Sequence, residues 1–249
     1  MSIMNRAGAC SIVMALGLSM SAAGASLRIS PVSIKLEAGQ QAAGITLANS
    51  SERPLVAQVR VFLWTQDVRE DLLTDQKDLV VSPPIVTLGP NGEQLVRVVR
   101  LDHTPPGHEL TYRLLIDELP DSAAPPADGG VDIRLRYSVP LFIGAAHPSV
   151  PALRWSLSRE EGFWSLQVEN AGGTHAQLSA VRLVKFDGDR LNLADGLLGY
   201  ALAGSVRQWR LPIADEDAER SLRVYAVVNG MPVDAALAPD RESGALAHR

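Results

Sequence analysis

Metal or general-base chemistry in this chain would begin with its five histidines, His103, His108, His147, His175 and His248. They are scattered through predicted loops and the C-terminal tail, without the spacing that would put two ligands on one element. His103 and His108 stand five apart across Pro105 and Pro106. Asp187-Gly188-Asp189 looks like a fragment of a calcium loop, but it lacks the further oxygen ligands and reads as a hairpin turn. There is no G-x-S-x-G elbow, no glycine loop to cradle phosphate, no H-E-x-x-H and no paired-cysteine site. Acidic residues occur throughout without one pair standing out. The expectation is a protein that is not an enzyme and holds no metal or cofactor.

The residues with the most informative spacing are apolar. From Val131 to Ile143 the side chains at 131, 133, 135, 137, 139, 141 and 143 are apolar, with mostly charged or polar ones between as far as Ser138. That alternation is the signature of a strand with one apolar face. At about 3.3 Å per residue, Val131 to Val139 alone would span roughly 30 Å, beyond the usual length of about five or six residues. Such a strand has more edge than its own sheet needs.

The first 25 residues stand apart. Arg6, an apolar run from Ala9 to Met20 and small residues ending in Ala23 and Ala25 predict an export signal cleaved after Ala25. Cys10, the only cysteine, lies inside it, so the mature chain is expected to have no thiol and no disulfide. Without Arg6 the count is 22 basic against 28 acidic residues, a net charge of -6. That excludes the basic stripe of a nucleic-acid binder.

The remainder reads as all-β. Leu27 to Leu36, Ala43 to Ala48, Val56 to Trp64, Ile85 to Leu88, Gln94 to Leu101, Leu110 to Leu119 and the long strand, separated by turn residues, predict a β-sandwich of about seven strands over residues 26–145. Leu153 to Leu157, Phe163 to Glu169, Gln177 to Lys185, Arg190 to Asn192, Val206 to Leu211 and Leu222 to Val228 predict a second sandwich over 146–239. Gly144 to Pro151 is the linker, and 240–249 a polar, disordered tail. The halves echo each other weakly. Asn49 and Asn170 each follow a strand, and a Val-Arg pair returns about a dozen residues later in both.

Several motifs occur in order across the first half: Leu47-Ala-Asn49 with Pro54, Gln58-Val-Arg60-Val, Ser82-Pro-Pro84, Leu88-Gly-Pro90-Asn-Gly92-Glu-Gln94, Tyr112-Arg113-Leu to Glu118-Leu-Pro120, and Tyr137-Ser-Val-Pro140-Leu-Phe142. In the second half, Leu198-Gly-Tyr200-Ala-Leu202 to Ser205, followed by Trp209, adds to them. Together they resemble the periplasmic chaperones of the chaperone-usher pathway, the PapD-like superfamily, which assemble fimbriae on Gram-negative bacteria. The resemblance implies two immunoglobulin-like sandwiches set at an angle with a cleft between them. It also implies location in the periplasm and two partners, fimbrial subunits and an outer-membrane usher.

It further gives the long strand a task. Fimbrial subunits of these systems lack their last strand, and the chaperone lends its own, a form of β-augmentation. The donor row here would be Val131, Ile133 and Leu135, continuing through Tyr137 and Val139. Each fully buried aliphatic anchor contributes about 1.5 to 3 kcal/mol. Family members grip the subunit's terminal carboxylate with an arginine in the first strand and a lysine near the end of the donor strand. This chain has Ser33 or Ile34 and Pro140 at those places, as in the branch called archaic. Arg113 is the first replacement candidate, since a guanidinium can hold a carboxylate by two parallel hydrogen bonds. Arg136 and Arg154 are the others; the alternative for Arg113 is an ion pair with Asp117 or Glu118. Only ten residues separate Pro120 from Val131, without a cysteine pair, which favours rod or archaic pili over thin fibres. Self-association of the free protein to hide its strand stays open. Two other readings are a secreted adhesin or carbohydrate-binding module, which would expose an aromatic cluster, and a hydrolase, which would need a convergent polar site.

Overall fold

Apolar and polar alternation builds two sandwiches in succession, described by a computed structural model over residues 27–120, 134–147, 149–160 and 162–238. The first contains β1 (Leu27–Ser30), β2 (Ile34–Leu36), β3 (Ala42–Asn49), β4 (Leu55–Gln66), β5 (Asp71–Thr74), β6 (Leu79–Ser82), β7 (Ile85–Leu88), β8 (Glu93–Arg100), β9 (Leu110–Glu118) and β10 (Arg136–Ile143). One sheet runs β1-β3-β8-β6; the other runs β2-β10-β9-β4-β5, with β7 beside the start of β4. Ile45, Val96 and Val98 from one sheet meet Leu114, Ile116 and Leu141 from the other in a core with no solvent access.

Leu27 to Leu36, expected as one strand, is two strands in different sheets. Pro31 cannot donate to a ladder, and the chain crosses there from β3 to the parallel edge of β10. β5 and β6 were not anticipated. All four β5 residues are exposed, so no apolar period marks them.

The second sandwich contains β11 (Leu153–Glu160), β12 (Phe163–Asn170), β13 (Ala176–Lys185), β14 (Arg190–Ala201), β15 (Val206–Leu211), helix α1 (Asp215–Glu219), β16 (Ser221–Val228) and β17 (Met231–Ala238). Its strands form one folded sheet, β14-β13-β16-β17-β11-β12-β15, closed over Trp155, Leu166, Leu178, Leu183 and Val224. β14 extends far beyond the expected Asn192. Asp195 and Gly196 look like a turn, but register shifts against β13 absorb them. The Phe186 to Asp189 turn joins β13 to β14 as expected, with Gly188 at φ 90°.

The echo between the halves is a shared hydrogen-bond device. Asn49 and Asn170 are both buried at strand ends. Each accepts through Oδ1 from the N–H two residues on, Ser51 and Gly172, at 3.0 Å. Each donates through Nδ2 to the carbonyl four residues on, Arg53 at 2.6 Å and Thr174 at 2.8 Å. Each also donates 3.0 Å across the sandwich, to Gly89 and Ala201. Gly172 lies so close to the linker that a Cβ there would stand 2.3 Å from the Val150 carbonyl oxygen.

The two sandwiches meet through Trp64, Phe142, Tyr200 and Leu202, all buried. The turn after β4 caps the edge of β15, where the Gln208 N–H donates to the Val68 carbonyl at 2.7 Å. Gln66 accepts from the Leu202 N–H at 2.8 Å and donates to the Tyr200 carbonyl at 3.0 Å. On the other flank the His175 ring stacks on Phe142 at 3.5 Å and meets the buried Glu109. Glu109 accepts from the Thr174 hydroxyl at 2.6 Å and the His175 N–H at 2.8 Å. Burial alone would raise the Glu109 carboxyl, but the hydrogen bonds from His175 and Thr174 outweigh it and hold the group below its ordinary value.

Two predictions follow from these contacts. Asn49→Ala and Asn170→Ala each strand buried main-chain groups at about 2 to 3 kcal/mol, so each lowers the thermal midpoint by roughly 5 to 10 °C, read by circular dichroism. Because the folded Glu109 titrates below its unfolded value of 4.5, its contribution is full above that pH and is lost as pH falls through the folded value. The midpoint gap between the native chain and Glu109→Gln is therefore largest near neutrality and closes under acid; a gap constant with pH would contradict the assignment.

Candidate functional site

Among the described residues, β10 is paired on one side along its whole length and on the other for only its last residues. β9 opposes Arg136 through Ile143, whereas β2 covers Leu141 to Ile143 alone. Because the Glu118 N–H donates to the Leu135 carbonyl, the main-chain groups of 135, 137 and 139 face β9, and those of Arg136, Ser138 and Pro140 face the open edge. Pro140 sits where its missing N–H costs β9 nothing. The open edge thus offers the N–H groups of Arg136 and Ser138 and ends at Pro140, just before β2 takes over.

The expected donor row divides along this edge. Val131 and Ile133 lie outside the described residues. Leu135 and Tyr137 are half-buried, and the Tyr137 hydroxyl donates to the Leu27 carbonyl. Val139 is 1% exposed within the first core. Its place in the donor row is corrected: it belongs to its own sandwich, against which Leu135 and Tyr137 also pack in part.

The opposite face of the same sheet forms the cleft floor. Tyr112 and Leu114 point into the core, so Arg113 between them emerges on the cleft side. Its guanidinium lies 3.6 Å over the Trp64 ring and 5.3 Å from the Tyr200 ring. It reaches toward the Ser138 carbonyl at 3.5 Å, beside the end of the open edge. Its nearest acid is neither Asp117 nor Glu118 but Asp71 of β5, at 3.7 Å. Burial pulls this guanidinium below its ordinary value, while Asp71 and Tyr200 pull it back.

Arg136 lies on the same face, opposite Asp117. Asp117 also receives Arg60 at 2.7 Å. Burial would raise the Asp117 carboxyl, but hydrogen bonds from Arg60 and Arg136 hold it low. Arg154 does not join either group. Trp155 and Leu157 fill the second core, which turns Arg154 to solvent, and among the described residues it has no ion pair. The second-domain arginine that does reach the cleft is Arg207 of β15, 3.7 Å from the same Asp71. Nothing in the sequence marked Arg207 or Asp71, because the hairpin that brings them together is polar and lacks a period.

Chemically, the site can add a strand along β10 and hold an anion where that strand would end. An exposed tryptophan platform for sugar is not part of it. Trp64 and Trp155 are fully buried, and Trp164 and Trp209 pack on the second core.

Comparison with known proteins bears on the fold that carries this site. Residues 26–148 match the family of pili and flagellar-assembly chaperones, PapD N-terminal domain. The structure is similar to one from the CsuC–CsuE chaperone–tip adhesion subunit pre-assembly complex of the archaic chaperone-usher Csu pili of Acinetobacter baumannii. The identity is 26%, the TM-score 0.68, and the match covers 86% of this chain and 98% of that one. The YadV chaperone matches in fold at 18% identity and TM-score 0.63, over 86% of this chain and 100% of its own. So does the complex of Salmonella enterica SafA pilin with the SafB chaperone, at 17% and 0.61, over 85% and 96%. No relative is found among curated proteins. Residues 26–148 belong to the family of pili and flagellar-assembly chaperones as its PapD N-terminal domain, and the fold over 86% of the chain is shared with a chaperone of archaic chaperone-usher pili.

Proposed function

We propose that this protein caps fimbrial subunits in the periplasm by donor-strand complementation, within an archaic-type system, and hands them to an outer-membrane usher. The observation that carries the reading is the half-open edge of β10. Among the described residues no strand pairs with its open side from Arg136 to Pro140, and the apolar row that fills the first core continues through Tyr137 and Leu135, half-buried at its margin. A subunit with an incomplete sandwich would receive Ile133 and Leu135 in its groove and pair its own edge with Arg136 and Ser138. Its chain would end beside Pro140, where Arg113 stands ready for the terminal carboxylate. Arg136 would remain at the rim of that contact, tied to Asp117.

Co-expression with a fimbrial subunit and recovery from the periplasm tests the strand. A one-to-one complex is expected. Ile133→Asp and Leu135→Asp each remove an anchor of about 1.5 to 3 kcal/mol, weakening it roughly ten- to a hundredfold; circular dichroism of each free variant separates lost binding from lost folding, since Leu135 also packs on the first core. Undiminished binding by both variants defeats the assignment. Arg113→Gln removes a charged hydrogen-bond donor and lowers affinity about tenfold; Arg154→Gln leaves it unchanged. Equal effects of the two arginine substitutions in a titration would contradict the anchor.

A further inference from the structure

A cavity of about 250 Å³ opens where the turn after β4 crosses the outer face of β12 and β15. It is lined by Arg69 from the first sandwich and by Glu160, Phe163, Ser165, Gln208 and Arg210 from the second, and shares no residue with the site around Arg113. Leu166, Val168 and Leu211 fill the second core, so Ser165 and Arg210 alternate with them onto the outer face, directly opposite each other in the ladder. Ser158 of β11 pairs with Ser165 on its other side, which makes one polar row of Ser158, Ser165 and Arg210. This row is short of partners. Ser158 and Ser165 are 8% and 9% exposed, and neither hydroxyl makes a hydrogen bond among the described residues. Arg210 lies over the Phe163 ring and has no ion pair among those residues. Acceptors beside the row are also incompletely used. Glu160 meets Arg69 through Oε2, while its Oε1 has only a long contact to Gln208 Nε2 at 3.5 Å. Asp67 and Glu70, the other acids of the turn, line a neighbouring trough and not this cavity.

A buried hydroxyl left unpaired costs stability, and with an unpaired guanidinium opposite it forms a donor set for an oxyanion. We propose that this cavity binds inorganic phosphate, with Arg210 and Ser165 donating to its oxygens and Glu160 Oε1 accepting its remaining proton. The proton is the discriminating feature. Hydrogen phosphate keeps a P–OH near neutral pH, whereas sulfate carries none. A carboxylate oxygen beside the two arginines therefore receives a hydrogen bond from phosphate and repels sulfate, so the same site attracts one ion and rejects the other. The volume suits the choice, because an ion of five heavy atoms fits together with its nearest waters. Since Arg69 comes from the first sandwich and Arg210 from the second, bound phosphate would also fasten the turn after β4 to β15, beside the bond from the Gln208 N–H to the Val68 carbonyl. This site stands apart from strand capping and needs no subunit.

The test titrates the full protein with sodium phosphate and, separately, with sodium sulfate, near neutral pH and at an ionic strength held constant with chloride. The Arg210 Nε–Hε and Ser165 amide signals are followed by NMR. Phosphate is expected to shift both signals to saturation, and sulfate to bind about tenfold more weakly, because it leaves Glu160 without a hydrogen bond. Arg210→Gln removes a charged donor and should weaken phosphate binding about tenfold, with circular dichroism reporting whether the variant is folded. Ser165→Ala should weaken it by a smaller factor and serves the same purpose if Arg210→Gln does not fold. Glu160→Gln supplies an amide that can donate, so it should erase the preference for phosphate over sulfate, an effect that a purely structural carboxylate would not have. Equal responses to the two ions in the native protein, or shifts that never saturate, would overturn the proposal. So would undiminished phosphate binding by the folded Arg210 or Ser165 variant, or a phosphate preference that survives Glu160→Gln.

Discussion

The rest of the structure depends on β10 having one complete neighbour and half of another. Backbone donors and acceptors need partners, and a sandwich normally supplies them on both sides or blunts the edge. Here β2 supplies them only for Leu141 to Ile143. The crossing at Pro31 makes β2 short, and Pro140 marks where the covered ladder ends and the uncovered one begins. The same odd-numbered row that fills the first core at Val139, Leu141 and Ile143 continues through Tyr137 and Leu135, which pack half-buried against that core.

A donated strand is useful only if it is presented on a rigid frame and its partner is stopped in register. The interface between the sandwiches supplies the frame. Trp64, Phe142, Tyr200 and Leu202 exclude water, while Gln66 and Glu109 tie the two sides by directional bonds. Burying the Arg113 guanidinium in that setting is costly, and stacking on Trp64 offsets part of the cost. Stability and recognition draw on the same side chains, so the cleft is a poor place to look for tolerated substitutions.

Much of this was legible in the sequence, for identifiable reasons. Strands with one buried face, such as β7, β9 and β12, carry the period of two, and their bounds were read to within a residue or two. The paired asparagines were visible as an echo because a buried turn pin needs the same side chain each time. What failed to show was whatever lacks a period. The exposed β5, the largely unburied β17 between β16 and β11, and the bulged β14 follow from tertiary pairing rather than from local pattern. Arg113 was recognisable because Tyr112 and Leu114 fix its direction. Arg154, by the same parity rule, should have been set aside, since Trp155 and Leu157 claim the core. Arg207 could not be found this way, because its role comes from a hairpin of the other domain.

The most direct test of the half-open edge is hydrogen exchange at the Arg136 and Ser138 amides, resolved by NMR in the free protein and in its complex with a fimbrial subunit. Both amides should exchange rapidly when the protein is free and become protected in the complex, while the Val139 and Leu141 amides, bonded to β9, stay protected throughout. Protection of Arg136 and Ser138 in the free monomer, or no gain on binding, would mean that this edge is not where a partner strand is added.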